Sequence, residues 1–180
     1  MYYSTTYLSP LGTITLGCDS NNNLVGLWFE TTKHHGEPSA DKMTENNNMP
    51  IFHQTKEWLD RYFSGKNPAI SELQLAPIGG EFRQIIWNLL CEIPYGEVIT
   101  YGDIAKRAAK KMKKEKMSSQ AVGGAVGHNP ISIIIPCHRV IGTKGNLTGY
   151  GGGINTKVKL LELEKVNMTS LYIPKKGTAL

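Results

Sequence analysis

The first thirty residues alternate between apolar and polar side chains in the manner of β-strands. Three runs show this alternation: Tyr3–Leu8, Thr13–Gly17 and Leu24–Phe29. Residues 9–12 and 19–23 separate these runs and consist largely of serine, proline, glycine, aspartate and asparagine, which favour turns. The pattern therefore predicts an antiparallel meander of three strands.

Helical periodicity begins further along the chain. Residues 31–50 have no period and predict a mobile surface loop. A broad apolar stripe then predicts a helix over about Ile51–Phe63, which Gly65 can end. Pro68–Gly80 is rich in proline and glycine and lacks a period, which indicates a linker between a first domain, residues 1–79, and a second, residues 80–180.

The second half of the chain is predicted to be mainly helical. Four stretches carry apolar residues at helical spacing: Phe82–Leu90, Thr100–Ala108, Ser119–Val126 and Ile154–Lys165. Thr100 and Ser118 are typical N-cap residues for the second and third of these helices. A further apolar run, Ile131–Ile135, predicts a buried strand that leads into Pro136 and Cys137. The fold class is therefore α+β.

Two short helices joined by a connection are the plan of a helix-turn-helix. The second of the pair contains Ala121–Gly127, which is built only from alanine, valine and glycine, so that a duplex backbone could approach it closely. Simple packing is the alternative interpretation of such a pair. The net charge of +5 and the lysine run from Lys110 to Lys116 are compatible with a polyanionic partner, although the run could equally be a solvated loop.

Cys137 is the main candidate for chemistry. Pro136 fixes the backbone before it, and His138 could take the thiol proton directly or through a water, with a carboxylate from elsewhere to orient the ring. The alternative is a buried thiol beside an unrelated histidine. Cys18 and Cys91 have no neighbouring base and are expected to be core thiols.

Composition limits the remaining possibilities. The 40% of hydrophobic residues support a packed core, and three widely spaced cysteines favour a reducing cytoplasm over a disulfide framework. No Cys-x-x-Cys pair suggests structural zinc, and no signal peptide or membrane span is evident in the sequence. We therefore expect neither a metal nor a membrane partner.

The block Ile135-Pro136-Cys137-His138-Arg139-Val140 resembles the signature of the O6-alkylguanine-DNA alkyltransferase family. Three further stretches carry the resemblance, which covers about Phe82–Glu164: Ala121–Ala125, Asn129-Pro130 and Gly149–Gly153. It implies a small ribonuclease-H-like first domain and a mainly helical second domain with a winged-helix-like helix-turn-helix. It also implies irreversible transfer of an alkyl group from O6 of guanine, or from O4 of thymine, to Cys137 after base flipping, without a cofactor.

The resemblance implies catalytic roles for five side chains. Cys137 would attack the alkyl carbon, His138 would act as base through a bridging water, and Glu164 would orient His138. Asn129 would hydrogen-bond within the site and brace the helix-turn-helix. Tyr101 would displace the phosphate of the target nucleotide and donate to the guanine ring.

The substrate pocket and the DNA surface are implied in the same way. The backbone of Cys137 and Val140 would accept from the exocyclic amine of guanine, while Tyr150 and Gly151 would lie near O6. Arg139 is expected to form a structural ion pair. The residues expected to meet DNA are Tyr101, Gln120, Ala121, Gly123 and Gly124.

Two features depart from the family pattern. Gln120 stands where the family usually has an arginine that fills the gap left by the flipped base, which predicts weaker DNA binding or flipping. The loop from Lys110 to Met117 is longer and more basic than usual, so its lysines could compensate electrostatically.

Two rival functions are a thiol hydrolase, which would also need an oxyanion hole, and a non-catalytic module that recognises alkylated bases. Relatives of the second kind lack the cysteine that this chain keeps. The expected partner is double-stranded DNA containing O6-alkylguanine. The expected state is a cytoplasmic monomer, associated with the nucleoid in a prokaryote.

Overall fold

The computed structural model describes residues 1–30, 38 and 42–175. The chain forms two compact units: residues 1–79 together with 130–134, and residues 80–129 together with those from 135 onward. The sequence predicted two continuous domains, 1–79 and 80–180. The structure instead assigns residues 130–134 to the first unit. Most of the predicted loop, residues 31–37 and 39–41, lies outside the described residues.

A four-stranded sheet forms the base of the first unit. Its strands are β1 (Tyr2–Ser9), β2 (Gly12–Asp19), β3 (Leu24–Phe29) and β4 (Thr44–Glu45), in the order β3-β2-β1-β4. The first three are antiparallel, which confirms the predicted meander. The fourth runs parallel to β1 and lies in the stretch predicted as loop, because a strand of two residues is too short to show alternation.

Helix α1 (Pro50–Phe63) packs on β1 and β2. Proline is suited to its first turn, where no intrahelical partner for an N–H is needed, and Gly65 follows its end with a positive φ of 82°. Phe52 and Leu59 are fully buried on its inner face. Burial of each such side chain contributes about 1.5–3 kcal/mol, which fixes the helix on the sheet.

Much of the predicted linker belongs to the first unit. The N–H of Leu24 donates to the carbonyl of Gln74 and the N–H of Ala76 donates to the carbonyl of Leu24, both at 2.8 Å. Leu75 thereby pairs with β3 as a parallel bridge. A bridge of one residue leaves no periodic pattern in the sequence. The proline and glycine around Leu75 therefore predicted only a linker.

The apolar run before Cys137 is buried, but the prediction of a strand there is wrong. Ile131 makes one bridge to Leu27, and the N–H of Ser132 donates to the Leu27 carbonyl at 3.1 Å. The chain then turns at Ile133, whose φ of 69° is unusual for a β-branched residue. An apolar run reports burial, and periodicity alone cannot tell a buried strand from a buried turn.

Four α-helices, a short strand pair and three single 3₁₀ turns make up the regular structure in the described part of the second unit. The helices are α2 (Glu81–Cys91), α3 (Tyr101–Lys111), α4 (Ser119–Gly127) and α5 (Ile154–Leu163), with β5 (Ile99–Thr100) parallel to β6 (Val140–Ile141). The four predicted helices are confirmed, with ends within three residues of those expected. None of the described helices has the length and apolar character needed to cross a membrane.

The helix-turn-helix consists of α3 and α4, which pack on each other and on α2. Both predicted caps are present: Thr100 Oγ1 accepts from the N–H of Asp103 at 3.1 Å, and Ser118 Oγ accepts from the N–H of Ala121 at 3.3 Å. Trp87 of α2 donates from Nε1 to the Ala125 carbonyl at 3.0 Å. This hydrogen bond fixes the small-residue helix without occupying its outer face.

Candidate active site

Asn129 closes the loop that carries Cys137. Its Nδ2 donates to the Ile135 carbonyl at 2.8 Å and to Cys137 Sγ at 3.1 Å. Asn129 and Ile135 flank the excursion of residues 130–134, so one amide group joins the two ends of that excursion. Cys137 itself, 6% exposed, begins a single 3₁₀ turn, Cys137–Arg139, directly after Pro136.

The resting side chain of Cys137 is a thiol. Burial raises its pKa, and the Asn129 amide, the Lys157 ammonium and the backbone N–H groups of Cys137 and His138 only partly oppose this effect. Because the thiolate is the nucleophile, a base must remove the proton when the substrate is in place.

The other two cysteines are less suited to reaction. Cys18 is fully buried in β2, which confirms the prediction of a core thiol, whereas Cys91 at the end of α2 is only partly buried. Burial raises the pKa of each to about 11. In the described part of the chain no histidine side chain is hydrogen-bonded to either thiol.

Behind Cys137, three charged or ionisable side chains form a buried chain of hydrogen bonds. His138 Nε2 lies 2.6 Å from Glu164 Oε1. Arg139 donates to both oxygens of the same carboxylate, from Nε at 2.8 Å and from Nη2 at 3.0 Å. Its Nη1 also donates to the Ile93 carbonyl at 2.7 Å. Arg139 thus forms the predicted ion pair, and its partner is the carboxylate that contacts the histidine.

These contacts decide which nitrogen of His138 is basic. Burial alone would raise the pKa of Glu164, but His138 and Arg139 bring it down to about 2, so the carboxylate is ionised and can only accept. Burial lowers the pKa of His138, so its ring is neutral and must carry hydrogen on Nε2. Nδ1 therefore holds the lone pair. It is buried, and within the described residues it makes no hydrogen bond.

Tyr101 is the first residue of α3 and is 7% exposed. Burial, and then the charge that Cys137 would carry, raise the pKa of its hydroxyl well above the ordinary value. The phenol therefore stays protonated at neutral pH and can donate a hydrogen bond within the site.

Lys157 joins two backbone segments of the site, and sequence reasoning missed it. Its Nζ donates to the Val140 carbonyl at 2.5 Å and to the Thr148 carbonyl at 3.0 Å. The half-buried Tyr150 and the exposed Gly151 follow Thr148 in the loop before α5. A signal was available, since a lysine lies among the apolar positions 154, 158 and 161 of a helical stripe.

The outer face of α4 is formed by small or flexible side chains. Gln120, Ala121 and Gly124 are exposed, as expected for contact with DNA, and Gly127 extends the same face. A Cβ atom at Gly124 or Gly127 would meet no atom within 4 Å. Gly123 is buried instead, because its position faces the interior of the unit, so a direct DNA contact is not supported there.

Within the same described residues, no three His, Cys, Asp or Glu side chains come together as possible metal ligands.

Fold and site together define a class: a helix-turn-helix protein in which a buried cysteine is followed by a histidine and an arginine that both contact one buried glutamate. Two family models match the sequence, the DNA binding domain of 6-O-methylguanine DNA methyltransferase over residues 81–166 and its ribonuclease-like domain over residues 1–77. The chain belongs to the 6-O-methylguanine DNA methyltransferase family, as the resemblance in the Pro-Cys-His-Arg block indicated.

Individual relatives agree over nearly the whole chain. The methylated-DNA--protein-cysteine methyltransferase of Haemophilus influenzae is 42% identical over 91% of this chain and 87% of its own length, and that of Methanosarcina barkeri is 43% identical over 93% and 99%. Among solved structures, Mycobacterium tuberculosis O6-methylguanine methyltransferase has a TM-score of 0.78 at 42% identity, covering 92% of this chain and 93% of that one. The OGT of that organism in complex with DNA has a TM-score of 0.76 at 41% identity, covering 91% and 92%.

Proposed function

We propose that this chain repairs DNA by direct reversal, moving the alkyl group from O6 of guanine to Cys137 in a single turnover. The observation that carries the proposal is the buried Cys137 thiol that accepts from Asn129 and is followed in the chain by a neutral His138 hydrogen-bonded to the ionised Glu164. O4-alkylthymine is a second candidate substrate for the same chemistry. No cofactor is required, because both the acceptor and the proton-transfer groups are side chains.

The direction of proton transfer follows from the tautomer of His138. Glu164 occupies Nε2, so only Nδ1 can receive the proton of Cys137. The described residues contain no direct hydrogen bond between the two side chains, and a bridging water would complete the path. Glu164 then stabilises the imidazolium, as the third member of a nucleophile-base-carboxylate set.

The covalent step exchanges one bond for another. A C–S bond forms between the alkyl carbon and Cys137, the C–O6 bond breaks, and its electron pair stays with the guanine. Tyr101, which stays protonated, donates to the departing guanine, and the proton that His138 took from Cys137 replaces the one that Tyr101 gives, so that guanine leaves neutral. Water does not hydrolyse the thioether, so the cysteine is consumed and the protein acts once.

Access to the alkyl group requires the nucleotide to leave the base stack. The open face of α4 suits a close approach to the duplex, with Gln120 at the start of the helix as the side chain able to enter the gap. Tyr150, Gly151 and the Val140 carbonyl would line the pocket for the extruded base. We further infer that the protein acts as a monomer on double-stranded DNA, in the cytoplasm or at the nucleoid.

Mass spectrometry tests the proposal directly. The protein is incubated with a duplex containing one O6-methylguanine and then digested. We expect one methyl group per chain, on the peptide that contains Cys137. Intact binding without an adduct would support the non-catalytic recognition module instead, whereas more than one product per chain would support a turnover enzyme such as a hydrolase.

Replacement of Gln120 by arginine is expected to tighten binding to the damaged duplex by about three- to tenfold. The added guanidinium brings one positive charge and a flat face that stacks in the gap. Fluorescence anisotropy at several salt concentrations measures the affinity, and single-turnover kinetics measure the repair rate. Gln120→Met is the control, because it keeps length without charge. An unchanged affinity and rate in Gln120→Arg would show that Gln120 is not limiting.

The lysine loop is expected to contribute phosphate contacts. Lys106, Lys110, Lys114 and Lys116 surround a groove of about 500 Å³ between α3 and the start of α4, with Glu115 as its one acid. Positive side chains beside an open helix face are placed to neutralise the backbone of bound DNA.

Replacing Lys113, Lys114 and Lys116 by glutamine is expected to lower the slope of log affinity against log salt by up to about 3, near one unit for each lost contact. Lys66→Gln in the first unit, also exposed, serves as the control and should leave the slope nearly unchanged. A slope that the triple variant does not change would mean that the loop is only solvated.

A further inference from the structure

Lys157 is a fully buried lysine on a helix whose other inward positions are apolar. An uncompensated ammonium in such a place is costly, and lysine is rarely buried without partners. Burial lowers the pKa of Lys157 to about 8, while the charge that Cys137 would carry as a thiolate opposes that shift. A leucine would be easier to bury at this position, but it could not donate hydrogen bonds.

The partners of Lys157 are two backbone carbonyls rather than a carboxylate. Nζ donates to Val140 O at 2.5 Å and to Thr148 O at 3.0 Å. Val140 begins β6, just after the turn that carries Cys137, and Thr148 precedes the loop with Tyr150 and Gly151. One ammonium therefore joins the backbone segments expected to bound the base pocket on either side.

A carbonyl oxygen has two lone pairs. If Lys157 occupies one lone pair of the Val140 carbonyl, the second is left for another donor, and the direction of the carbonyl is fixed because Nζ is held by two bonds and by burial. Under the proposed function the donor that reaches this carbonyl is the 2-amino group of guanine, a contact that the family resemblance implies.

We propose that Lys157 is a positioning residue that sets the Val140 carbonyl as the reader of the guanine 2-amino group, and so favours O6-alkylguanine over alkylated purines without that group. The inference rests on the proposed function. Lys157 touches the carbonyl and not the reacting atoms. Its loss therefore weakens the selectivity for guanine, not only the overall rate.

The test compares two substrates that differ only in the amino group: duplexes containing O6-methylguanine or O6-methylhypoxanthine. Single-turnover rates are measured for the native protein and for Lys157→Met, which keeps the length of the side chain and removes its charge and donors. Lys159→Met, exposed on the same helix, is the matched control. Thermal unfolding confirms that each variant is folded, and Lys157→Gln replaces the methionine variant if that one does not fold.

We expect the native protein to react roughly two- to tenfold faster with methylguanine than with methylhypoxanthine, the range of one hydrogen bond. Lys157→Met should lose most of this preference by slowing on methylguanine, and Lys159→Met should keep it. An equal slowing on both substrates would mean that Lys157 acts through the fold or through its charge on Cys137 rather than through the carbonyl, and it would overturn the inference. A native protein that shows no preference would also overturn it. If the native protein accepts no methyl group at all, the proposed function fails instead.

Discussion

Cys137→Ser is expected to abolish alkyl transfer, with a loss on the order of 10⁴-fold or more, while the protein still folds and binds DNA. Serine has nearly the shape of cysteine, so the Asn129 amide can donate to its hydroxyl as it does to the sulfur. A hydroxyl is a far weaker acid than a thiol and a poorer nucleophile toward an alkyl carbon, so His138 activates it much less. Transfer of a radiolabelled methyl group from duplex to protein measures the loss, and anisotropy measures the binding.

Cys91→Ser is the matched control for that experiment. Cys91 is partly buried, and burial holds its pKa at about 11, so it stays a thiol and should accept no methyl group. The control variant is therefore expected to react at the native rate. If Cys137→Ser still takes up more label than the expected loss allows, a second cysteine must be an acceptor. The environments of Cys18 and Cys91 disfavour this outcome.

Periodicity predicted the elements that are long enough to repeat. The meander and four helices of the second unit follow directly from alternation or from helical spacing, and their caps at Thr100 and Ser118 were readable because a capping side chain is local. Elements too short to show a periodic pattern were missed. Strand β4 has two residues, and the bridge of Leu75 to β3 has one.

The environment of Cys137 was less accessible to sequence reasoning than its identity. The adjacent His138 suggested direct proton transfer as one possibility, but the ring is held by Glu164, which is distant in sequence and was assigned only through the family resemblance. The buried Lys157 was overlooked because lysine usually marks a solvated position. Contacts of this kind depend on tertiary packing, and only the folded chain brings their partners together.

The second large effect is expected on stability. Arg139→Met should lower the free energy of unfolding by about 3–5 kcal/mol, because it takes away the guanidinium that neutralises the buried carboxylate of Glu164. Arg139 also lies over the ring of Tyr95, with its guanidinium carbon 5.7 Å from the ring centre, so the loss includes some packing. Urea unfolding followed by circular dichroism measures the change.

The pH dependence of stability separates this ion pair from general packing. The folded-state pKa of Glu164, about 2, lies below the ordinary value of 4.5, so its contribution is present above about pH 4.5 and is lost as the pH falls toward 2. Without Arg139 the folded-state pKa rises toward the ordinary value, and the variant should lose less stability than the native protein across that window. Adding Glu164→Gln to Arg139→Met should restore part of the stability, since a neutral amide is cheaper to bury than a carboxylate that has lost its guanidinium. If the two substitutions instead add their losses, the arginine stabilises the unit by packing rather than by holding the carboxylate.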